Sequence, residues 1–239
     1  MDIRGRGIGA GAVLLGAVLL AGCAVAPPAD VRADAPDSPV VAAAPNAALA
    51  AVAASPSASA SAAPELGEPP VTAQPAEFQV FATMHVPRFG AGWQRSVGEG
   101  VSESRILNRE DINVGHYPST QLPGQVGNFA VAAHRETHSG PFSEISALQI
   151  GDPIVIETPE AFYVYRYRNT EYVLPSGVGV LDATPQFGSE NPGDRYITLT
   201  SCNPRMSTSE RIIAYGVLDT WAPNTGQGMP AEISALLAA

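Results

Sequence analysis

Lysine is missing from this 239-residue chain, and all 13 basic residues are arginine. No side-chain amine is therefore present to form a Schiff base or to accept an acyl group. Positive charge is scarce as well. Against 23 acidic residues the formal charge is −10, and no basic stripe offsets it, which excludes an electrostatic grip on a nucleic-acid backbone. Aromatic residues are absent from positions 24–76, a stretch made mostly of Ala, Pro and Ser. Such a segment cannot bury enough apolar surface to offset its ordering entropy, so it is expected to be a disordered tether. Cysteine is nearly absent: Cys23 and Cys202 are the whole complement.

What is present begins with a targeting segment over residues 1–23. Arg4 and Arg6 form a basic n-region, Ile8 to Leu20 an apolar h-region, and Leu20-Ala-Gly-Cys23 looks like a bacterial lipobox. In that reading Cys23 is lipidated. The competing reading is an uncleaved anchor helix, since residues 7–26 carry no charge. Either one tethers the rest of the chain at the extracytoplasmic face of the membrane. With Cys23 used by export, Cys202 is left unpaired in an oxidising compartment, where an idle thiol is a liability.

The expected globular part spans 77–221, with 222–239 as a tail. Strand-like runs fall at Phe78–Val86, Asn128–Ala133, Pro153–Thr158 and Ala161–Arg168, with shorter ones at Tyr172–Pro175 and Gly177–Leu181. In the Ala161 run Tyr163, Tyr165 and Tyr167 share one face, while Phe162, Val164, Arg166 and Arg168 share the other, the pattern of a half-buried antiparallel strand. Phe142, Ile145 and Leu148 imply a short helix over Pro141–Leu148, and a weak helix is expected from Pro230. Many short strands with Gly/Pro turns indicate an all-β barrel or sandwich. Tyr196 to Cys202 and Ile212 to Leu218 are the last two strands. Paired as a hairpin, they set Cys202 beside Arg211, and positive charge favours an ionised sulfur.

Thr198-Leu-Thr-Ser-Cys202-Asn-Pro followed by Glu210-Arg211-Ile-Ile-Ala-Tyr-Gly216 resembles the TLTTC-x-P … R-x-I-V-x-G signature of sortases. Ala132-Ala-His134-Arg-Glu-Thr-His-Ser-Gly-Pro-Phe142 is similar to the segment around that family's histidine. Val114-Gly-His-Tyr-Pro118 and Leu122-Pro-Gly-Gln-Val-Gly-Asn128 match stretches of its class E branch. The resemblance covers roughly 78–221, in the family's order. It departs at Ser201, Ser119 and Ala133, none of which is a reacting group.

The resemblance implies a closed β-barrel with one or two short helices. It also implies cysteine transpeptidase activity, with Cys202 as nucleophile, His134 as acid and base, and Arg211 as oxyanion or carbonyl donor. Thr200, Ser201 and Tyr215 are expected to line the peptide groove. The implied substrates are LPxTG or LAxTG sorting signals cut between Thr and Gly. The implied acceptor is an amine of a peptidoglycan precursor, with a pilin lysine as the alternative. No cofactor or metal is called for. The His134/His138 pair lacks the Glu that a zinc helix places directly after its first His. A non-catalytic peptide-binding wall lipoprotein on the same barrel is the reading from another class. An L,D-transpeptidase is disfavoured, because no Ser-x-Gly-Cys motif is present. His85 and His116 are taken as structural. Ala222-Pro-Asn-Thr-Gly226 resembles a sorting pentapeptide, which raises the expectation of a folded-back pseudosubstrate.

Overall fold

The computed structural model of the chain describes residues 67–188 and 193–238. The targeting segment, Cys23 and most of the tether lie outside the described residues. Eight strands close a barrel: β1 (Val80–His85), β2 (Gln94–Glu99), β3 (Val114–His116), β4 (Gly127–Ala132), β5 (Pro153–Glu157), β6 (Ala161–Val173), β7 (Arg195–Asn203) and β8 (Glu210–Pro223). Their order around the barrel is β1-β2-β3-β4-β7-β8-β6-β5. Pairing is antiparallel except at β2–β3 and β4–β7. Among the described residues no helix is long and apolar enough to cross a membrane.

Alternation puts Phe129 and Val131 of β4, Ile197 and Leu199 of β7, and Ile212 and Ala214 of β8 into one core. Tyr163, Tyr165 and Tyr167 enter the same core, and each hydroxyl is satisfied there. Tyr163 donates to the Pro70 carbonyl at 2.6 Å, the Gly124 amide donates to Tyr165 at 3.3 Å, and Tyr167 bonds Thr170 at 2.7 Å. A buried phenol without a partner would cost stability, so these bonds are what admit three tyrosines to the interior. Gly115 lies where a Cβ would collide with the Gly100 carbonyl, so this position of the Val114–Pro118 segment accepts no side chain without movement.

Several expectations are corrected. The helix expected over Pro141–Leu148 is a 3-10 turn at Ile145–Ala147. Its buried residues Phe142, Ile145 and Leu148 are spaced by three, which is the period of a 3-10 turn and not of an α-helix. The runs at Ala161 and Tyr172 are a single 13-residue strand. Gly177–Leu181 is no strand; a 3-10 turn occupies Val178–Leu181. The outer face of β6 is covered as well, because α1 (Ala231–Ala238) lays Ile233 over Phe162, Val164 and Ala222. Composition places residues 67–76 in the tether, yet they lie along the barrel as a strap. Trp221 Nε1 donates to the Gly67 carbonyl at 3.0 Å, Thr72 donates to Glu160 at 2.5 Å, and Arg195 pairs with Glu68.

The pseudosubstrate is overturned. Ala222 and Pro223 finish β8 by pairing with Phe162 and Ala161, and the Asn224 amide donates to the Glu160 carbonyl at 2.9 Å. Cys202 pairs with Arg211 at the other end of β8. Eleven residues of strand put Ala222 on the order of 35 Å from that pair.

Candidate active site

Three neighbouring strands assemble the site. In the β4–β7 ladder Ala132 stands opposite Thr200, and the Ala133 amide donates to the Thr200 carbonyl at 3.2 Å. Two steps further along each chain are His134 and Cys202. On the other side of β7, Cys202 is the direct partner of Arg211, and facing residues of antiparallel strands hold their Cβ atoms about 4.5–5.5 Å apart. The order across the sheet is thus imidazole, thiol, guanidinium. All three line one cleft of about 620 Å³ with Glu103, Glu136 and Thr208. Cys202 is free and partly exposed.

Each flanking group is held in a definite way. His134 Nε2 lies 2.7 Å from Asn108 Oδ1, so that nitrogen carries a proton. The ring stacks on His138 with centroids 5.1 Å apart. Burial lowers the His134 pKa from its ordinary value, the His138 charge lowers it further, and Glu103 opposes both. Arg211 donates from Nη1 to the Thr208 and Glu210 carbonyls at 3.0 and 2.9 Å. Among the described residues it forms no ion pair, which leaves its charge available to an oxyanion.

A second cavity, of about 240 Å³, adjoins the cleft at Arg211 and is lined by Tyr117, Val173, Leu174, Leu181, Thr200 and Ile213. Thr200 is therefore in a groove, as expected. Its hydroxyl donates to the Val131 carbonyl at 3.2 Å and receives the Tyr117 hydroxyl at 3.0 Å. Ser201 is not in it. The strand's alternation turns Ser201 inward, where its hydroxyl donates to the Ala133 carbonyl at 2.8 Å. Tyr215 is also outside this groove. It shares a face with Arg211 and Ile213, but four residues carry it about 13 Å along β8, past the point where Val180 and Leu181 cross the sheet. There its hydroxyl donates to Glu171 at 2.7 Å, and it lines a separate cavity with Tyr196 and Phe187.

Sequence reasoning missed four residues that shape the site. Asn108 bonds His134, Tyr117 bonds Thr200, Arg135 donates to the Cys202 carbonyl at 3.2 Å, and Asn128 pins the groove wall. Asn128 Nδ2 donates to the Val180 and Asp182 carbonyls at 3.0 and 3.1 Å, while its Oδ1 accepts from Thr198 at 2.8 Å. Tyr117, Asn128 and Arg135 were inside the matched segments, so a signal existed for them. Asn108 had none. His116 and His85 are held by carboxylates: His116 Nδ1 is 2.7 Å from Glu99 and His85 Nε2 is 2.9 Å from Glu157, away from the thiol.

A closed barrel that presents a thiol between an imidazole and a guanidinium defines a cysteine-centred fold equipped for acyl transfer. A family profile described as the sortase domain matches residues 84–219. The chain belongs to the sortase family. It is 40% identical over 159 residues to Sortase SrtE1 of Streptomyces coelicolor, a match that covers 64% of this chain and 44% of that protein. With SrtE2 of the same organism the match covers 54% of the relative, so the chain spans about half the length of the curated relatives it matches. Among solved structures, the SrtA sortase from Actinomyces oris superposes with a TM-score of 0.64 at 32% identity, over 69% of this chain and 93% of that one. Sortase E1 from Streptomyces coelicolor, with a tripeptide in its active site, gives 0.58 at 36% identity, over 66% and 99%.

Proposed function

We propose that this chain is a cysteine transpeptidase that cuts LPxTG- or LAxTG-like sorting signals between Thr and Gly and transfers the acyl group to a cell-wall amine. The Cys202 sulfur attacks the Thr carbonyl carbon, and Arg211 donates to the oxygen that becomes negative. The C–N bond to Gly then breaks, and His134 gives its proton to the departing amine. A thioester on Cys202 remains. An incoming amine loses a proton to His134 and attacks the thioester, which frees the sulfur. The residues on the acyl side of the cut would lie in the Tyr117/Thr200 groove, and the amine side in the cleft beyond Cys202.

What supports this reading is the order His134, Cys202, Arg211 across three adjacent strands, all facing one cleft. The test is hydrolysis of a fluorogenic LAxTG or LPxTG peptide by wild type and by Cys202→Ala. Turnover is expected from wild type alone, with the variant at background. Equal cleavage would leave a peptide-binding barrel as the surviving account. The acceptor is a peptidoglycan-precursor amine; lysine-linked polymer ladders formed from a pilin substrate would assign it to a pilin instead. The tether is a lipidated Cys23 or an uncleaved N-terminal helix. Membrane fractionation of wild type and Cys23→Ser separates these, because only the lipid anchor is lost in the variant.

A further inference from the structure

The β4–β7 ladder stops one rung short of the nucleophile. The Ala133 amide reaches the Thr200 carbonyl, and regular parallel pairing would next bring a backbone amide to the Cys202 carbonyl. The chain turns away after His134, and a side chain supplies that rung. Arg135 Nη1 donates to the Cys202 carbonyl at 3.2 Å and to Asn203 Oδ1 at 3.2 Å. Its Nε reaches the Ser143 carbonyl at 3.4 Å, and Nη2 reaches Ser146 Oγ at 3.2 Å. One guanidinium thus ties the segment after His134, the turn before Ile145 and the end of β7.

The position is unusual for a charge. Arg135 is only 5% exposed, yet all four of its acceptors are neutral. A buried cation ordinarily finds a carboxylate. The two nearby carboxylates make no hydrogen bond to it: Glu136 and Glu144 lie against Arg205, at 3.8 and 3.4 Å, and reach Arg135 only through space. Burial and then Arg205 lower the Arg135 pKa, with Glu136 and Glu144 opposing them, but a guanidinium remains protonated throughout the range in which a protein works. Arg135 also lines the cleft together with Cys202. A carbonyl acceptor for a neutral donor would not need burial of a charge at this point; the charge itself is therefore the feature to explain.

We propose that Arg135 is a positioning residue of the nucleophile, whose guanidinium replaces the missing backbone rung at Cys202 and sets a buried positive charge, with no carboxylate bonded to it, against the Cys202 carbonyl. Arg211 works on the substrate side of the thiol and Arg135 on the protein side. The charged and titratable groups around the sulfur are then His134 with His138 stacked on it, Arg211 and Arg135, with Glu103 and Glu136 on the cleft wall, Glu210 bonded to Asn203, and Arg205 with Glu144 beyond. The proposal rests on Cys202 being the reactive thiol, but its test does not need a peptide substrate.

The test is the rate of Cys202 alkylation by iodoacetamide as a function of pH, with thermal melting in parallel. Three variants separate charge from donor. Arg135→Lys keeps the charge without the fork, Arg135→Gln keeps donors without the charge, and Arg135→Met keeps neither. Losing a cation beside a thiol raises the pH at which the sulfur ionises. The alkylation midpoint is expected to rise in the Gln and Met variants and to stay near wild type in the Lys variant. All three are expected to melt lower than wild type, and a purely structural brace would do the same without moving the midpoint. Midpoints unchanged in Gln and Met, or shifted equally in all three, would overturn the proposal. Should the Met variant not fold, the Lys and Gln pair still decides it. A wild type that alkylates normally but cleaves no sorting peptide would count against the transpeptidase reading and leave this one standing.

Discussion

At one end of the β7–β8 hairpin, Arg195 and Trp221 are tied to the strap: Arg195 pairs with Glu68, and Trp221 donates to the Gly67 carbonyl. Ala222 beside them is sealed under Ile233. At the other end, Arg211 holds only the carbonyls of its own loop, Arg135 holds only neutral acceptors, and His134 hangs on one exposed amide. The same two strands run through both ends. Far from the thiol, charges are neutralised and apolar faces are covered; near it, His134, Arg211 and Arg135 have no carboxylate bonded to them. Cohesion and reactivity are thus placed at opposite ends of one hairpin, and a cleft of underused charges is tolerable because the other end holds the barrel shut.

Substitutions at each end sharpen the contrast. Truncation after Trp221 removes the last rungs of β8 and uncovers Phe162 and Val164. It should cost about 4 kcal/mol or more and lower the melting temperature by roughly 8–16 °C, with no gain in turnover at temperatures where the barrel is folded. Faster turnover by the truncated chain would revive the pseudosubstrate. Ile233→Ala attacks the same end more gently. About 3 kcal/mol is expected, or roughly 6–12 °C in a thermal melt, with kcat for a sorting peptide within about twofold of wild type.

Changes at the cleft should do the reverse. Asn108→Asp puts a carboxylate on His134 Nε2, and an adjacent negative charge favours the imidazolium. The His134 titration, followed by NMR, should move up while the melt barely changes, because the bond is exposed. His138→Gln removes the stacked ring whose charge depresses His134. The midpoint should then rise, but by less than in Asn108→Asp, the smallest effect of the set, because burial and not His138 is the larger cause of the depression. A fall in either case would show that the charges facing His134 have been misassigned.

The three candidate site residues were legible in the chain, Cys202 and Arg211 from strand pairing and His134 from the resemblance of its segment to the sortase motif. The hairpin Tyr196–Leu218 brings Cys202 to Arg211 by local pairing alone, and the alternation in Ala161–Arg168 grouped the three tyrosines on one face without showing that α1 buries Phe162 and Val164 on the other. What was not legible depended on distant segments. Ser201 and Cys202 are adjacent in the chain, but only the closed barrel decides which of them faces inward. Tyr215 shares the face of Arg211, and the crossing of Val180 and Leu181 that cuts it off from the groove cannot be read from spacing. Asn108 reaches His134 through a π turn at Glu103–Leu107 in the β2–β3 crossover, a connection with no sequence signature. The strap was hidden by its composition, since Ala/Pro-rich chain becomes ordered only where Tyr163, Arg195 and Trp221 offer it partners.

The parallel pairing of β4 with β7 has a temporal consequence. His134 and Cys202 belong to segments 68 positions apart in the chain, and no hairpin joins them; β5, β6 and the loop before β7 must all be laid down first. Contacts so distant in sequence form late, after the nearer ones have restricted the chain. A partly synthesised or partly folded molecule therefore carries its imidazole and its sulfur far apart, and the pair meets only when the last two strands dock. The candidate site is thus a property of the finished barrel and of no shorter piece of it.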